Sequence, residues 1–225
     1  EGETIQTIIN VQAEHDDNSY LFFTTRYGVV KRTSVTEFAN IRQNGLKALN
    51  LKDEDELINV FLTNGQADII IGTKMGYAVR FNENQVRNMG RAAIGVRGVN
   101  LRAGDHVVGA SVISDDQEVL VITEKGYGKR TLASEYATKG RGGKGMKTAN
   151  ITEKNGPLAG LMAVNGDEDL MIITNTGVII RTNVANISQT GRATLGVKVM
   201  RLDKGAQIVT FTSVAAENEK EVDEE

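Results

Sequence analysis

The 225 residues contain no cysteine and no tryptophan, only one proline and only two histidines. Without cysteine the chain can form neither a disulfide nor a thiolate metal site. His15 and His106 stand alone, with no ligand-like spacing around them, and read as ordinary surface or strand residues. No run reaches the eighteen or so apolar residues of a membrane-spanning helix, and no signal peptide opens the chain. No carboxylate cluster has the spacing of a magnesium site. Tyr20, Tyr27, Tyr77, Tyr127 and Tyr136 lack any local nucleophile setting, so no catalytic site is expected. The chain opens on Glu1 rather than methionine, which suggests a piece of something longer.

What is present begins with 24 glycines, which with so little proline point to many tight turns rather than flexible linkers. Net charge is −3, at first sight unsuited to nucleic acid. Its distribution reverses that impression. Residues 215–225 (AAENEKEVDEE) carry six carboxylates and one lysine, a charge of −5, which leaves +2 for residues 1–214. This tail has no apolar periodicity and is expected to be disordered.

One unit recurs four times. The pattern Thr-x-x-Gly-x-x-x-Arg places Thr25, Gly28 and Arg32; Thr73, Gly76 and Arg80; Thr123, Gly126 and Arg130; Thr174, Gly177 and Arg181. A second marker, glycine-apolar-basic, follows as Gly45-Leu46-Lys47, Gly95-Val96-Arg97, Gly145-Met146-Lys147 and Gly196-Val197-Lys198. Within each copy short apolar runs precede and follow the first glycine. They are rich in β-branched residues and read as strands, with the Thr-x-x-Gly segment as the hairpin turn. No segment has a long 3.6-residue period. Four strands in a period near fifty residues predict blades arranged about an axis. The copies are bounded at 1–51, 52–101, 102–151 and 152–202. Residues 203–214 then repeat only the opening strand, as a closing strand for a neighbouring blade, and 215–225 form the tail.

Positive charge recurs at fixed offsets. Three copies carry Gly-Arg-x-x-x-Gly-apolar-basic: Gly90-Arg91 to Arg97, Gly140-Arg141 to Lys147, and Gly191-Arg192 to Lys198. The first copy is two residues shorter, with Arg42 near the place of the arginine and Lys47 at the marker. In a radial array equal offsets lie at equal heights, so these loops, with Arg201, are expected to form one positive band around the rim. Glycines beside the cations let a ligand approach and leave amide groups for phosphate oxygens. Cations and glycine without interleaved aromatics suit a duplex backbone better than single strands. The densest stretch holds Lys139, Arg141, Lys144 and Lys147 among Gly140, Gly142, Gly143 and Gly145. It falls short of a phosphate-binding nucleotide loop, because Met146 intervenes before Lys147-Thr148 and no helix follows.

Arg32, Arg80, Arg130 and Arg181 admit two readings. Tyr20, Asp68, Glu118 and Asp169 stand eight residues before each turn glycine and would fall near the arginine across a hairpin. These arginines are therefore either cross-strand ion-pair partners or phosphate contacts.

Residues 141–145, RGGKG, match the last five positions of the glutamine-arginine-arginine-glycine-glycine-lysine-glycine box of DNA gyrase A subunits. With EKGYGKR (124–130) and GRAAIGVRGVNL (90–101), residues 1–214 resemble the later blades of the C-terminal β-pinwheel domain of that family. The resemblance implies an all-β, propeller-like array of four four-stranded blades that wraps duplex DNA around a basic rim. It also implies a partnership with the gyrase B subunit, and with the rest of the gyrase A subunit, in the bacterial cytoplasm, supporting ATP-dependent negative supercoiling. ATP, magnesium and the DNA-cleaving tyrosine would belong to other parts of that assembly. Lys139 and Gly140 depart from the full box, so this copy is degenerate. The family's first two blades, with the full box, would lie upstream of Glu1. One alternative is the C-terminal domain of the topoisomerase IV A subunit. Another, from a different class, is a protein-binding propeller scaffold. A scaffold would show recurring exposed aromatics on one face, where this chain shows recurring cations.

Overall fold

A computed structural model describes residues 8–9, 18–40 and 45–216. Most of the first seventeen residues of the first repeat, Arg42 and the acidic tail from Glu217 onward fall outside these residues.

The chain runs through β1 (Tyr20–Thr25), β2 (Val29–Ser34), β3 (Leu57–Thr63), β4 (Asp68–Thr73), β5 (Tyr77–Asn82) and β6 (Val96–Arg97). It continues through β7 (Val107–Ile113), β8 (Glu118–Thr123), β9 (Tyr127–Leu132), β10 (Met146–Lys147) and β11 (Leu158–Val164). β12 (Asp169–Thr174), β13 (Ile179–Asn183), β14 (Val197–Lys198) and β15 (Ile208–Val214) complete it. Short 3₁₀ turns at Val35–Phe38, Glu83–Gln85, Ala133–Glu135 and Val184–Asn186 follow β2, β5, β9 and β13. No helix of the described residues is long and apolar enough to cross a membrane.

Each repeat contains one hairpin, β1-β2, β4-β5, β8-β9 and β12-β13. The turn closes where the glycine amide donates to the threonine carbonyl: Gly28 to Thr25 at 3.0 Å, Gly76 to Thr73 at 2.9 Å, Gly126 to Thr123 at 3.0 Å and Gly177 to Thr174 at 3.1 Å. Four antiparallel sheets result, ordered β3-β1-β2-β6, β10-β5-β4-β7, β11-β8-β9-β14 and β13-β12-β15. Each sheet mixes two successive repeats. β3, which opens the second repeat of the sequence, pairs with β1 of the first, and β6, from the same repeat's marker, pairs with β2. β10 and β14 join β5 and β9 in the same way. The repeats are thus out of phase with the sheets, because a periodic sequence has no intrinsic origin. Residues 203–214 do supply a closing strand, with β15 pairing to β12. The fourth sheet has three strands among the described residues.

β4 and β8 read as near-continuous apolar runs because both of their faces are covered. Ile69 and Ile71 of β4 pack with Phe22, Val30 and Phe81 between the first two sheets. Ile70, pointing the other way, packs with Val119, Val121 and Leu158 between the second and third. Leu120 and Ile122 of β8 in turn meet Leu170 and Ile172 of β12. The strand period of two therefore distributes successive residues to successive cores. Burying one such side chain contributes about 1.5–3 kcal/mol. β3, β7, β11 and β15 line a common cavity of about 360 Å³, so the four sheets share an axis. The two-residue strands β6, β10 and β14 lie at the opposite edge of their sheets, outermost.

Candidate nucleic-acid interface

The marker glycines let the rim strands lie this close to their sheets. Gly95, Gly145 and Gly196 have φ of 111°, 75° and 78°. A Cβ on them would stand 2.5 Å from the Val30 carbonyl oxygen, 2.8 Å from that of Ala78 and 2.7 Å from that of Gly128. Only glycine allows both the left-handed backbone and the approach. Directly after each glycine and its apolar neighbour comes the cation. Arg97 pairs with Val29, Lys147 with Tyr77 and Lys198 with Tyr127, three equivalent positions on three sheets, all exposed.

The preceding loop is tied to the sheet beneath it and to the marker of the repeat before. Met89, Lys139 and Thr190 donate amide hydrogens to the carbonyls of Arg32, Arg80 and Arg130 at 2.8–2.9 Å. Asn50, Asn100 and Asn150 donate amide hydrogens to Ala93, Gly143 and Thr194 of the next loop at 3.4, 2.9 and 3.0 Å. The loop arginines cross the same seam. Arg141 Nη1 donates to the Arg97 carbonyl at 3.0 Å, and Arg192 Nη1 to the Lys147 carbonyl at 3.2 Å. Arg141 Nε also reaches the Gln85 carbonyl at 2.9 Å. These bonds join the three successive loops to one another, from residues 90–97 to residues 191–198.

Within it the cations differ. Lys47, Arg97, Lys139, Lys144, Lys198 and Arg201 are exposed, and Lys198 leans over the Tyr127 ring at 5.4 Å. Lys147, also exposed, donates to Asn150 Oδ1 at 3.0 Å. Arg141 is exposed but engaged with backbone, while Arg91 and Arg192 are half-buried. Gly45 and Lys47 lie in no sheet among the described residues. In the glycine-rich loop, Gly140 has open space where a Cβ would be, Gly142 has φ of 77°, and Gly143 accepts from Asn100.

The four repeat arginines sit elsewhere, beneath the rim. Arg80, 5% exposed, donates from Nε to Asp68 Oδ2 at 2.9 Å and from Nη2 to Asp115 at 2.7 Å. Arg130 pairs with Glu118, and Arg181 with Asp169 at 2.8 Å. In the first repeat, where the acid is replaced by Tyr20, Arg32 lies over that ring at 4.6 Å and near Glu83 at 3.8 Å. Burial alone would raise the Asp68 carboxyl. Hydrogen bonds from Thr138 and Asn82, with the Arg80 guanidinium, hold it below its ordinary value. These are the cross-strand pairs that the spacing allowed, offset by two residues: Arg80 registers with Ile70, and Asp68 with Asn82.

Sequence reasoning missed three contributors. Arg102 stacks on Tyr77 at 3.3 Å and donates to the Lys144 carbonyl at 2.6 Å, bracing the glycine-rich loop. Lys31 and Lys129, each 1% exposed, support the other two loops from below. Lys31 Nζ donates to the carbonyls of Ala48, at 2.6 Å, and Arg91. Lys129 Nζ donates to those of Gly191, at 2.6 Å, and Arg192. Burial pulls both ammonium groups down to about 8. The signal was available: Val79 and Ile180 occupy the same repeat position, which marks it as interior.

The family described as DNA gyrase C-terminal domain, beta-propeller, matches residues 19–64, 67–114, 117–165 and 168–215. The chain is 77% identical over 222 residues to the DNA gyrase A subunit of Streptococcus pneumoniae serotype 4, covering 99% of this chain and 27% of that protein. It is 60% identical over its full length to the DNA gyrase A subunit of Halalkalibacterium halodurans, again 27% of that protein. It thus spans about a quarter of the length of these relatives. Among solved structures, a DNA gyrase A C-terminal domain superposes with a TM-score of 0.80 at 27% identity, over 88% of this chain and 66% of the other. The C-terminal domain of a DNA topoisomerase IV superposes with a TM-score of 0.84 at 28% identity, over 89% and 63%.

Proposed function

As the chain belongs to the DNA gyrase C-terminal domain family, we propose that it binds and bends duplex DNA along its rim, without sequence preference, as the C-terminal part of a gyrase A subunit. The observation that carries the reading is the seam of hydrogen bonds joining successive rim loops, which presents Arg97, Lys147 and Lys198 at equivalent positions on successive sheets. A bent duplex needs many small gains spread along a curve. Bending 20–30 bp by 40–90° costs about 1–6 kcal/mol, which exceeds what one or two surface contacts return. The four repeat arginines serve the fold in this reading, because their guanidinium groups are engaged with acids or a ring below the rim.

The partners are double-stranded DNA, the remainder of the gyrase A subunit, and the gyrase B subunit, joined in an A2B2 assembly within the bacterial cytoplasm. That assembly would introduce negative supercoils using ATP and magnesium held elsewhere. Identity of 77% to a gyrase A subunit favours gyrase over topoisomerase IV, while among solved structures the two related domains are matched alike, at 27% and 28%. Religation of a nicked circle with and without the protein tests wrapping. A bound protein that shifts the linking-number distribution supports the reading; one that binds and leaves the distribution unchanged contradicts it.

A further inference from the structure

Two of the three rim loops rest on a buried ammonium and the third does not. Beneath residues 90–97 lies Lys31, with Glu37 six residues on; beneath residues 191–198 lies Lys129, with Glu135 six residues on. At the same repeat positions beneath residues 140–147 stand Val79 and Gln85, and in the fourth repeat Ile180 and Asn186. Lysine thus occurs with glutamate, and an aliphatic residue with an amide, in alternate repeats. The partners behave accordingly. Glu135 Oε2 accepts from the Arg192 amide at 3.2 Å, and Gln85 Oε1 accepts from the Arg141 amide at 2.8 Å. The acid or amide holds the amide of the loop arginine in both cases, and only the lysine seat adds a buried charge under the loop carbonyls.

Resting on the DNA-binding reading above, we propose that Lys31 and Lys129 are positioning residues of the rim: their ammonium groups fix the main chain at Arg91 and Arg192 and couple the grip of those two loops on phosphate to a proton, while the glycine-rich loop grips independently of it. The groups that face each lysine are few. Glu37 favours the charge on Lys31, whose ammonium also stands 5.3 Å from the Phe23 ring. Glu135 favours the charge on Lys129 and Arg192 opposes it, while burial outweighs both acids and leaves each lysine near 8. DNA phosphates arriving above a rim loop bring negative charge toward the buried ammonium and raise its pKa. Binding therefore takes up protons, and affinity falls as pH rises through about 8.

The test uses the whole chain and its K31V, K129V and K31V/K129V variants, which place at these positions the valine that the second repeat already carries. Duplex affinity is measured at fixed salt from pH 7 to 9.5, and amide hydrogen exchange is followed at pH 7 without DNA. The expected result is a fall in affinity of about tenfold for the parent, corresponding to one pKa unit of coupling, and a flat profile for the double variant. Exchange should quicken in 90–97 for K31V and in 191–198 for K129V, with 140–147 unchanged in both. A double variant that keeps the parent's pH profile overturns the proposal, as does exchange that changes equally in all three loops or in none. A parent that binds no duplex at low salt overturns the DNA-binding reading instead, and the exchange pattern still decides whether the lysines position the loops.

Discussion

Arg141 reaches out of its own repeat to donate from Nη1 to the backbone carbonyl of Arg97, 3.0 Å away, so one rim cation holds the main chain of the one in the preceding repeat. The same guanidinium donates from Nε to the Gln85 carbonyl at 2.9 Å. A planar fork can satisfy two carbonyls in fixed geometry, where an ammonium on a flexible stem cannot. Arg141→Lys should therefore keep the charge and the salt dependence of DNA binding but loosen residues 140–147. Arg141→Ala should also lower the salt slope by about 0.9. Hydrogen exchange and salt titration of both variants separate the two roles. Equal behaviour of the two would contradict this division.

Arg80 is the most buried of the repeat arginines, and its loss would take the guanidinium from Asp68, which would keep its hydrogen bonds from Thr138 and Asn82. Arg80→Ala is expected to destabilise the fold by about 1.5–3 kcal/mol, as for loss of hydrogen bonds to a charged group. The salt slope of DNA binding should not change at temperatures where the variant is folded. Urea unfolding and a DNA titration check the two parts. A reduced slope in a stable Arg80→Ala protein would assign Arg80 to the DNA.

Glu54 holds φ of 62°, the left-handed conformation that Gly104 and Gly205 adopt at the same repeat position. A side chain there costs about 1–2 kcal/mol of backbone strain, offset in part by the greater entropy that glycine loses on folding. Glu54→Gly should raise stability by about 0.5–1 kcal/mol, read as a higher melting temperature. A lower melting temperature would contradict the strain.

Stability should rise with pH above neutrality. Lys31 and Lys129 have folded pKa values near 8, below the ordinary 10.5, so between these values the unfolded chain binds more protons than the folded one. The gain begins near pH 8 and reaches on the order of 1–2 kcal/mol per lysine by pH 9.5. Burial raises the Tyr136 hydroxyl, which works in the opposite direction above pH 10, so the rise is best read from pH 7 to 9.5. Urea midpoints for the parent and K31V/K129V should diverge across that range. Parallel midpoints would show that the lysines are not proton-linked.

Much of this was legible in the sequence. The glycine and threonine of each turn, the apolar runs and the marker cations recur at fixed offsets, and among the described residues the turns and strands fall where those residues suggest, with Arg97, Lys147 and Lys198 on edge strands and Lys47 in no sheet. The composition of the sheets was not legible. That β6 completes the first sheet rather than the second depends on which edge its amides meet, and a repeat pattern carries no such information. Nor was the occupation of Arg141 and Arg192 by carbonyls, since a cation in a glycine-rich loop looks the same whether it faces solvent or a neighbouring backbone. Lys31 was hidden by Arg32 beside it. Adjacent strand residues point to opposite faces, so one of two consecutive cations lay under the loop and the other along the hairpin edge.

The salt dependence of duplex binding tests the account most directly. With the half-buried Arg91 and Arg192 set aside, about six to eight exposed rim cations, Arg141 among them, are placed to neutralise phosphates, for a log–log slope of about −5 to −7. Replacement of Arg97, Lys144 and Lys198 by alanine should reduce its magnitude by about 0.9 for each, without altering the unfolding midpoint by more than a surface substitution does. A parent slope near zero, or a slope unchanged by the triple replacement, would contradict DNA binding by the rim.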